Sequence, residues 1–167
     1  MLRGGKMSLD VIKKIKKLIR DTMKVPAKNI KTGRVNAVYP YTDNFYLVDM
    51  DSIQRLSQGK HYDDENDDLI GTIHFKGNLT LSFIGESAEN NANAFMALID
   101  AHDYTYYLQQ DLGITLYKVS SYNNMRKQFN GQWWPVVVIQ MACRYATAIK
   151  RESNYFETVP TKNLFDK

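Results

Sequence analysis

The sequence predicts an α+β fold, a single domain in the order α-β-β-α-β-β, and three observations carry that expectation. Apolar residues recur at helical spacing in residues 9–23 and again after residue 88. Apolar and polar residues alternate at 69–75 and 79–84, the period of a half-buried strand. Late in the chain, 114–119 and 134–145 are apolar runs separated by Asn130-Gly131, the dipeptide favoured in tight hairpins. The expected architecture is two hairpins forming a mostly antiparallel sheet, packed with two helices, plus extended loops and a C-terminal arm.

Each element has its own signal. Ser8 is placed to cap a first helix whose buried stripe is Leu9, Ile12, Ile15, Leu18, Ile19 and Met23, with Pro26 marking its end. Residues 26–68 read as the least regular stretch. Tyr39-Pro40-Tyr41 is extended because proline disfavours the α region in the residue before it, 45–48 is a short strand, and 57–60 with the acidic run that follows is loop. The strands 69–75 and 79–84 are joined by a turn at Lys76-Gly77-Asn78, with an apolar face of Leu69, Ile73, Phe75, Leu79, Leu81 and Phe83. Gly85-Glu86-Ser87 ends the strand and caps a second helix over 88–110, with an inner stripe of Ala92, Phe95, Met96, Ile99 and Tyr106. Gly113 stops it, 114–119 is a further strand, and the run from Trp134 to Tyr145, apolar on both faces at first, is a central or covered strand. The whole is one domain, 1–167, with a leader at 1–7 and an extended arm at 151–167.

Composition excludes several classes. A chain of 167 residues with 44% apolar and 12% aromatic residues is long enough for a core and too apolar for disorder. No run approaches the roughly 20 apolar residues of a membrane-spanning helix. The first nine residues show no apolar signal-peptide core, and a single cysteine, Cys143, points to a reducing compartment. The net charge of +4 conceals an asymmetry: residues 1–34 hold 11 of the 22 basic residues and only two acids, a balance of +9, leaving −5 for the remainder. That remainder includes the run Asp63-Asp64-Glu65-Asn66-Asp67-Asp68. Such a division suits a charged partner, or copies of the chain arranged head to tail.

No catalytic, cofactor or metal site emerges. The acidic run loosely resembles the start of a Ca²⁺ loop, but Asp68 stands where that loop needs glycine and His74 where it needs a bidentate glutamate. His61, His74 and His102 are too far apart for a local metal motif, and Cys143 lies in the most apolar strand, where a thiol is inert. Glu86 or Glu89 with Asp100 or Asp103 is a conceivable carboxylate pair of an ordinary helix-surface kind. No nucleophile elbow, phosphate loop or dinucleotide fingerprint is present. The strongest chemical signal is the first helix, whose Lys13, Lys16, Lys17 and Arg20 suit phosphate contact or a solvated face. No aromatic residues are interleaved with them for stacking on bases. The candidate contact residues are therefore Lys13, Lys16, Lys17 and Arg20 together with Asp63, Asp64, Asp67 and Asp68.

Taken together, the chain resembles the neck and tail-terminator proteins of tailed bacteriophages, particularly the neck-terminator group. The resemblance covers roughly residues 8–160. It lies in the start Val11-Ile12-Lys13-Lys14-Ile15, the Tyr39-Pro40-Tyr41 segment, the strands Gly71-Thr72-Ile73-His74-Phe75 and Leu79-Thr80-Leu81-Ser82-Phe83, and Gly85-Glu86-Ser87-Ala88 entering a helix with Asn91, Ala92, Ala94 and Phe95. Leu112-Gly113-Ile114 and the closing strand from Val136 to Tyr145 complete it. The acidic run and the Lys-rich first helix are more extreme than that pattern. The resemblance implies a non-enzymatic virion protein without cofactors, closing into a homo-oligomeric ring, usually a hexamer, at the neck and tail junction. Such a ring ends tail-tube growth or joins the tail to the head connector, and genomic DNA passes through it without sequence-specific binding. Its partners are connector or adaptor and tail-tube proteins, with assembly in the host cytoplasm and no membrane. The basic and acidic surfaces would then be two sides of a subunit contact. The alternative is a small nucleic-acid-binding module using the basic helix.

Overall fold

In the computed structural model the described residues are 4–35, 44–63, 68–101, 108–110 and 112–152, with side chains described for 10–60 and 70–147 within those stretches. Helix α1 (Gly4–Met23) buries Ile12, Ile15, Leu18 and Ile19 of the expected stripe and, beside them, Val11; Met23 is half-buried, and the Leu9 side chain lies outside those described. It begins before Ser8, which is therefore an interior residue and not a cap; nothing in Lys6-Met7 opposes continuing the helix N-terminally. Lys24 leaves the helix at φ 53, in the left-handed region, ahead of Pro26.

Strand β1 (Ile30–Thr32) follows a single 3-10 turn and pairs in parallel with β2 (Phe45–Asp63) at Tyr46, Leu47 and Val48. Strand β2 starts where expected but runs for 19 residues, so 57–60 is strand and not loop. Residues 52–60 are exposed on both faces, so their sequence lacks the alternation that marks a half-buried strand. The expected irregular stretch 26–68 is thus largely ordered, with Tyr39-Pro40-Tyr41 and Asp64–Asp67 outside the described residues.

Strand β3 (Asp68–Ile84) is continuous, which corrects the expected turn at Lys76-Gly77-Asn78. Gly77 pairs with Cys143 in the middle of the sheet, beside a bulge of β2 between Asp51 and Gln54. A Cβ there would lie 3.3 Å from the Asp51 carbonyl oxygen and from Met50 Cγ. The glycine answers a close approach of backbone, a role that looks in sequence like a turn.

Helix α2 (Ala88–Asp100) is shorter than the expected 88–110. Ala101 turns extended, with its N–H donating to the Leu98 carbonyl, and Leu108–Gln110 is helical again. No glycine or proline announces this end. Ser87 makes no side-chain cap; its carbonyl accepts from Asn91 N–H at 2.9 Å. Ala92, Phe95 and Ile99 are buried as expected and Met96 is half-buried, while Tyr106 lies outside the described residues.

Strands β4 (Ile114–Phe129) and β5 (Gln132–Glu152) form a hairpin closed by Asn130 (φ 50) and Gly131 (φ 80), both left-handed as a tight primed turn requires. The sheet order is β1-β2-β3-β5-β4, so β5, expected as a central or covered strand, is an interior strand between β3 and β4, and the two hairpins are β2–β3 and β4–β5. All pairings except β1–β2 are antiparallel. Arg151 and Glu152 belong to β5 and not to an arm; 153–167 lies outside the described residues.

The main core joins the buried faces of α1 and α2 to one face of the sheet, through Val48, Leu79, Leu81, Phe83, Val137, Ile139, Met141 and Cys143. Phe95 fills its centre, its ring 6.0 Å from that of Phe83. A smaller cluster of Val35, Phe45, Leu47, Ile84 and Val136 lies on the other face. Beyond the core, β2, β3 and β5 continue together as a three-stranded arm from about Gln54, Lys76 and Arg144 to the last rung.

Two substitutions test this architecture by urea denaturation. Phe95→Ala removes the ring at the centre of the core and lowers stability by about 3–5 kcal/mol. Gly77→Val forces β2 and β3 apart at the bulge and costs about 1–3 kcal/mol.

Candidate partner interfaces

Positions 13, 16, 17 and 20 share one helical face, so α1 presents Lys13, Lys16, Lys17 and Arg20 together. They line a cavity of about 250 Å³ whose floor is completed by Ala27 and Ile30. Two carboxylates pair with these cations: Asp10 lies 3.6 Å from Lys13, and Asp21 accepts from Arg20 Nε at 2.9 Å. Both pairs are solvent-exposed and worth well under about 1 kcal/mol each. Lys16 is half-buried, and desolvation, followed by the charge of Lys31, lowers its pKa. Lys14 points elsewhere, donating to the Leu112 carbonyl at 2.6 Å and tying α1 to the loop before β4.

The acidic candidates lie at the far end of the sheet. Asp63 and Asp68 are partners on the last rung of β2–β3, while Asp64 and Asp67 lie outside the described residues. Asp68 also pairs with Glu152 of β5. Three acidic residues of adjacent strands therefore share one rung, an arrangement that is unfavourable for a sheet in isolation. Sequence reasoning missed Glu152 because it placed residue 152 in the terminal arm; only the pairing of β5 with β3 brings it here. The structure thus gathers the four cations into one pocket, puts Asp63, Asp68 and Glu152 on the arm's last rung, and keeps the two groups apart.

Further charges serve the fold. Arg34 bridges Asp49 at 2.5 Å and Asp51 at 2.7 Å, clasping the start of β2, and these carboxylates hold its guanidinium pKa above the usual value. At the root of the arm an open cleft of about 630 Å³ is lined by Leu56, His74, Phe75, Gln109, Arg144 and Tyr145, with the Phe75 and Tyr145 rings stacked at 5.3 Å.

Among the residues whose side chains are described, no three His, Cys, Asp or Glu come together as metal ligands would. His74 is exposed on β3, only the backbone of His61 is described, and His102 lies outside. Glu89 and Asp100 sit 11 residues apart along α2, about 16 Å of helix, too far to act as a pair; Asp103 lies outside the described residues. Glu89 instead accepts from Asn124 Nδ2 at 3.2 Å. No helix of the described residues is long and apolar enough to cross a membrane.

Burial pushes the Cys143 thiol up from 9.0 to about 12. The unfolded chain releases this proton at lower pH than the folded one, so the unfolded state binds fewer protons and stability falls as pH rises. The contribution is whole below about pH 9 and drops by up to about 1.4 kcal/mol per pH unit above it. Urea titrations on either side of that pH should show a steeper alkaline loss in the original chain than in Cys143→Ala.

A family model described as phage neck terminator protein matches residues 9–165. No curated protein matches the chain.

Proposed function

The chain belongs to the phage neck terminator family, a family of structural virion proteins of the phage neck, and from that membership we propose a ring-forming, non-enzymatic subunit at the junction of neck and tail. The ring, a hexamer in this reading, ends tail-tube growth or joins the tail to the head connector. Genomic DNA passes through its lumen without sequence-specific contact. Assembly takes place in the host cytoplasm, and the protein contacts connector or adaptor and tail-tube proteins.

The family match carries the proposal, and one structural observation supports it. Rings of three or more copies need two different patches on each copy, since a heterologous contact closes a ring when its rotation closes. This chain carries a cationic pocket on α1 and an acidic rung at the end of the arm. Lys13, Lys16, Lys17, Arg20, Asp63, Asp64, Asp67 and Asp68 are accordingly its candidate contact residues.

Mass photometry of the purified chain, alone and with tail tubes, tests the reading, with electron microscopy of the mixture. Rings seated on tube ends are expected. A chain that stays single and leaves tubes uncapped would reject it.

A second reading has one observation in its favour: the clustering of four cations in a single pocket on α1. A nucleic-acid-binding module would bind duplex DNA with an affinity that falls steeply with salt. Changing Lys13, Lys16, Lys17 and Arg20 to Glu would remove that binding, and no binding by the original chain at low salt would dismiss the module.

A further inference from the structure

The pocket on α1 and the acidic end of the arm are complementary in charge but out of each other's reach within one chain. Ile30, in the pocket floor, pairs with Tyr46 at the start of β2, whereas Asp63 ends the same strand. The 17 steps from Tyr46 to Asp63 span about 55 Å of extended strand. Because β3 and β5 run alongside without a break, the arm cannot fold back onto α1 without abandoning its ladder.

We propose that the acidic end of the arm in one copy, at Asp63, Asp68 and Glu152, seats in the α1 pocket of the next copy, against Lys13, Lys16, Lys17 and Arg20. The proposal rests on the ring reading above and names the contact that would close it. Three features select a second copy as the occupant. Residues 63–68 and 150–152 together hold six acidic residues against two basic ones, Lys150 and Arg151, to meet a pocket of four cations of which two are paired with exposed carboxylates. Three like charges on one rung oppose each other in an isolated arm and are relieved by cations from outside. Lys16, half-buried and facing the charge of Lys31, gains from a carboxylate brought into the cavity. A duplex suits the site less well, because the cationic face covers two helical turns, about 10 Å, and not an extended track.

Charge reversal in the full-length chain provides the test. One variant carries Lys13→Glu, Lys16→Glu and Lys17→Glu; the other carries Asp63→Lys, Asp68→Lys and Glu152→Lys. Circular dichroism checks that each is folded. By mass photometry each variant alone should lose the ring, and an equimolar mixture should recover it, because every pocket then meets an end of opposite charge. Rings formed by either variant alone, or a folded mixture that stays single, overturn the contact. If a variant does not fold, zero-length carbodiimide coupling of mixed ¹⁴N and ¹⁵N copies of the original chain decides. Cross-links between copies joining α1 lysines to Asp63, Asp68 or Glu152 support the contact, and assembled rings without them overturn it. Rings of the original chain that survive reversal overturn this contact alone; a chain single under all conditions overturns the ring reading with it. Protection of the α1 lysines from acylation by duplex DNA, with rings unaffected by reversal, assigns the pocket to nucleic acid instead.

Discussion

The β3–β5 ladder is the constraint on which the remaining structure depends. It runs without interruption from Ile84 opposite Val136 to Asp68 opposite Glu152. Its inner rungs, Phe83–Val137, Leu81–Ile139 and Leu79–Met141, supply the centre of the core against which α1 and α2 pack. Its outer rungs carry the arm, where Ile53 and Leu56 remain 36% and 40% exposed and burial contributes little. Order there comes from extending a ladder already anchored in the core, since isolated ribbons are marginal in water. Gly77, opposite Cys143, lies within this ladder where β2 bulges toward it, so a single residue without a side chain lets core and arm share one continuous strand.

That ladder also turns a charge imbalance into geometry. A flexible acidic segment would be free to settle on the nearest cations, and the basic front of the chain supplies many. Here the last rung is fixed about 55 Å along β2 from the rung of Ile30, which lines the α1 pocket, so the two surfaces stay apart within one copy. The local ion pairs, Lys13 with Asp10 and Arg20 with Asp21, are exposed and weak and leave the pocket cationic. Long-range complementarity that cannot be satisfied internally favours association, and its strength falls with salt.

Much of the core was legible because helices and buried strands impose periods of their own. Ile12, Ile15, Leu18 and Ile19 of α1, Ala92, Phe95 and Ile99 of α2, the Asn130-Gly131 hairpin and the interior place of β5 all follow from spacing and turn chemistry. The arm was not legible, since residues 52–60 face solvent on both sides and carry no pattern that tells strand from loop. Gly77 misled for a related reason: a glycine at a close approach and a glycine in a turn look alike until the neighbouring strand is placed. Ser87, which serves the helix through its carbonyl and not its hydroxyl, shows that a favoured residue type need not use its side chain.

The candidate interfaces divide in the same way. The sequence by itself determined the cationic face of α1, because residues three and four apart share a helical face whatever the helix packs against. It also determined the division of charge between the first 34 residues and the rest, and the pattern shared with the neck-terminator family. Only the tertiary structure decided that Glu152 stands beside Asp68 and Asp63, because a residue 84 positions from Asp68 joins its rung through strand pairing alone. It likewise set the separation of acid and base, since that distance belongs to the length and continuity of paired strands. Local periodicity records which face of an element is buried; it holds no record of how far a ladder runs once burial ends.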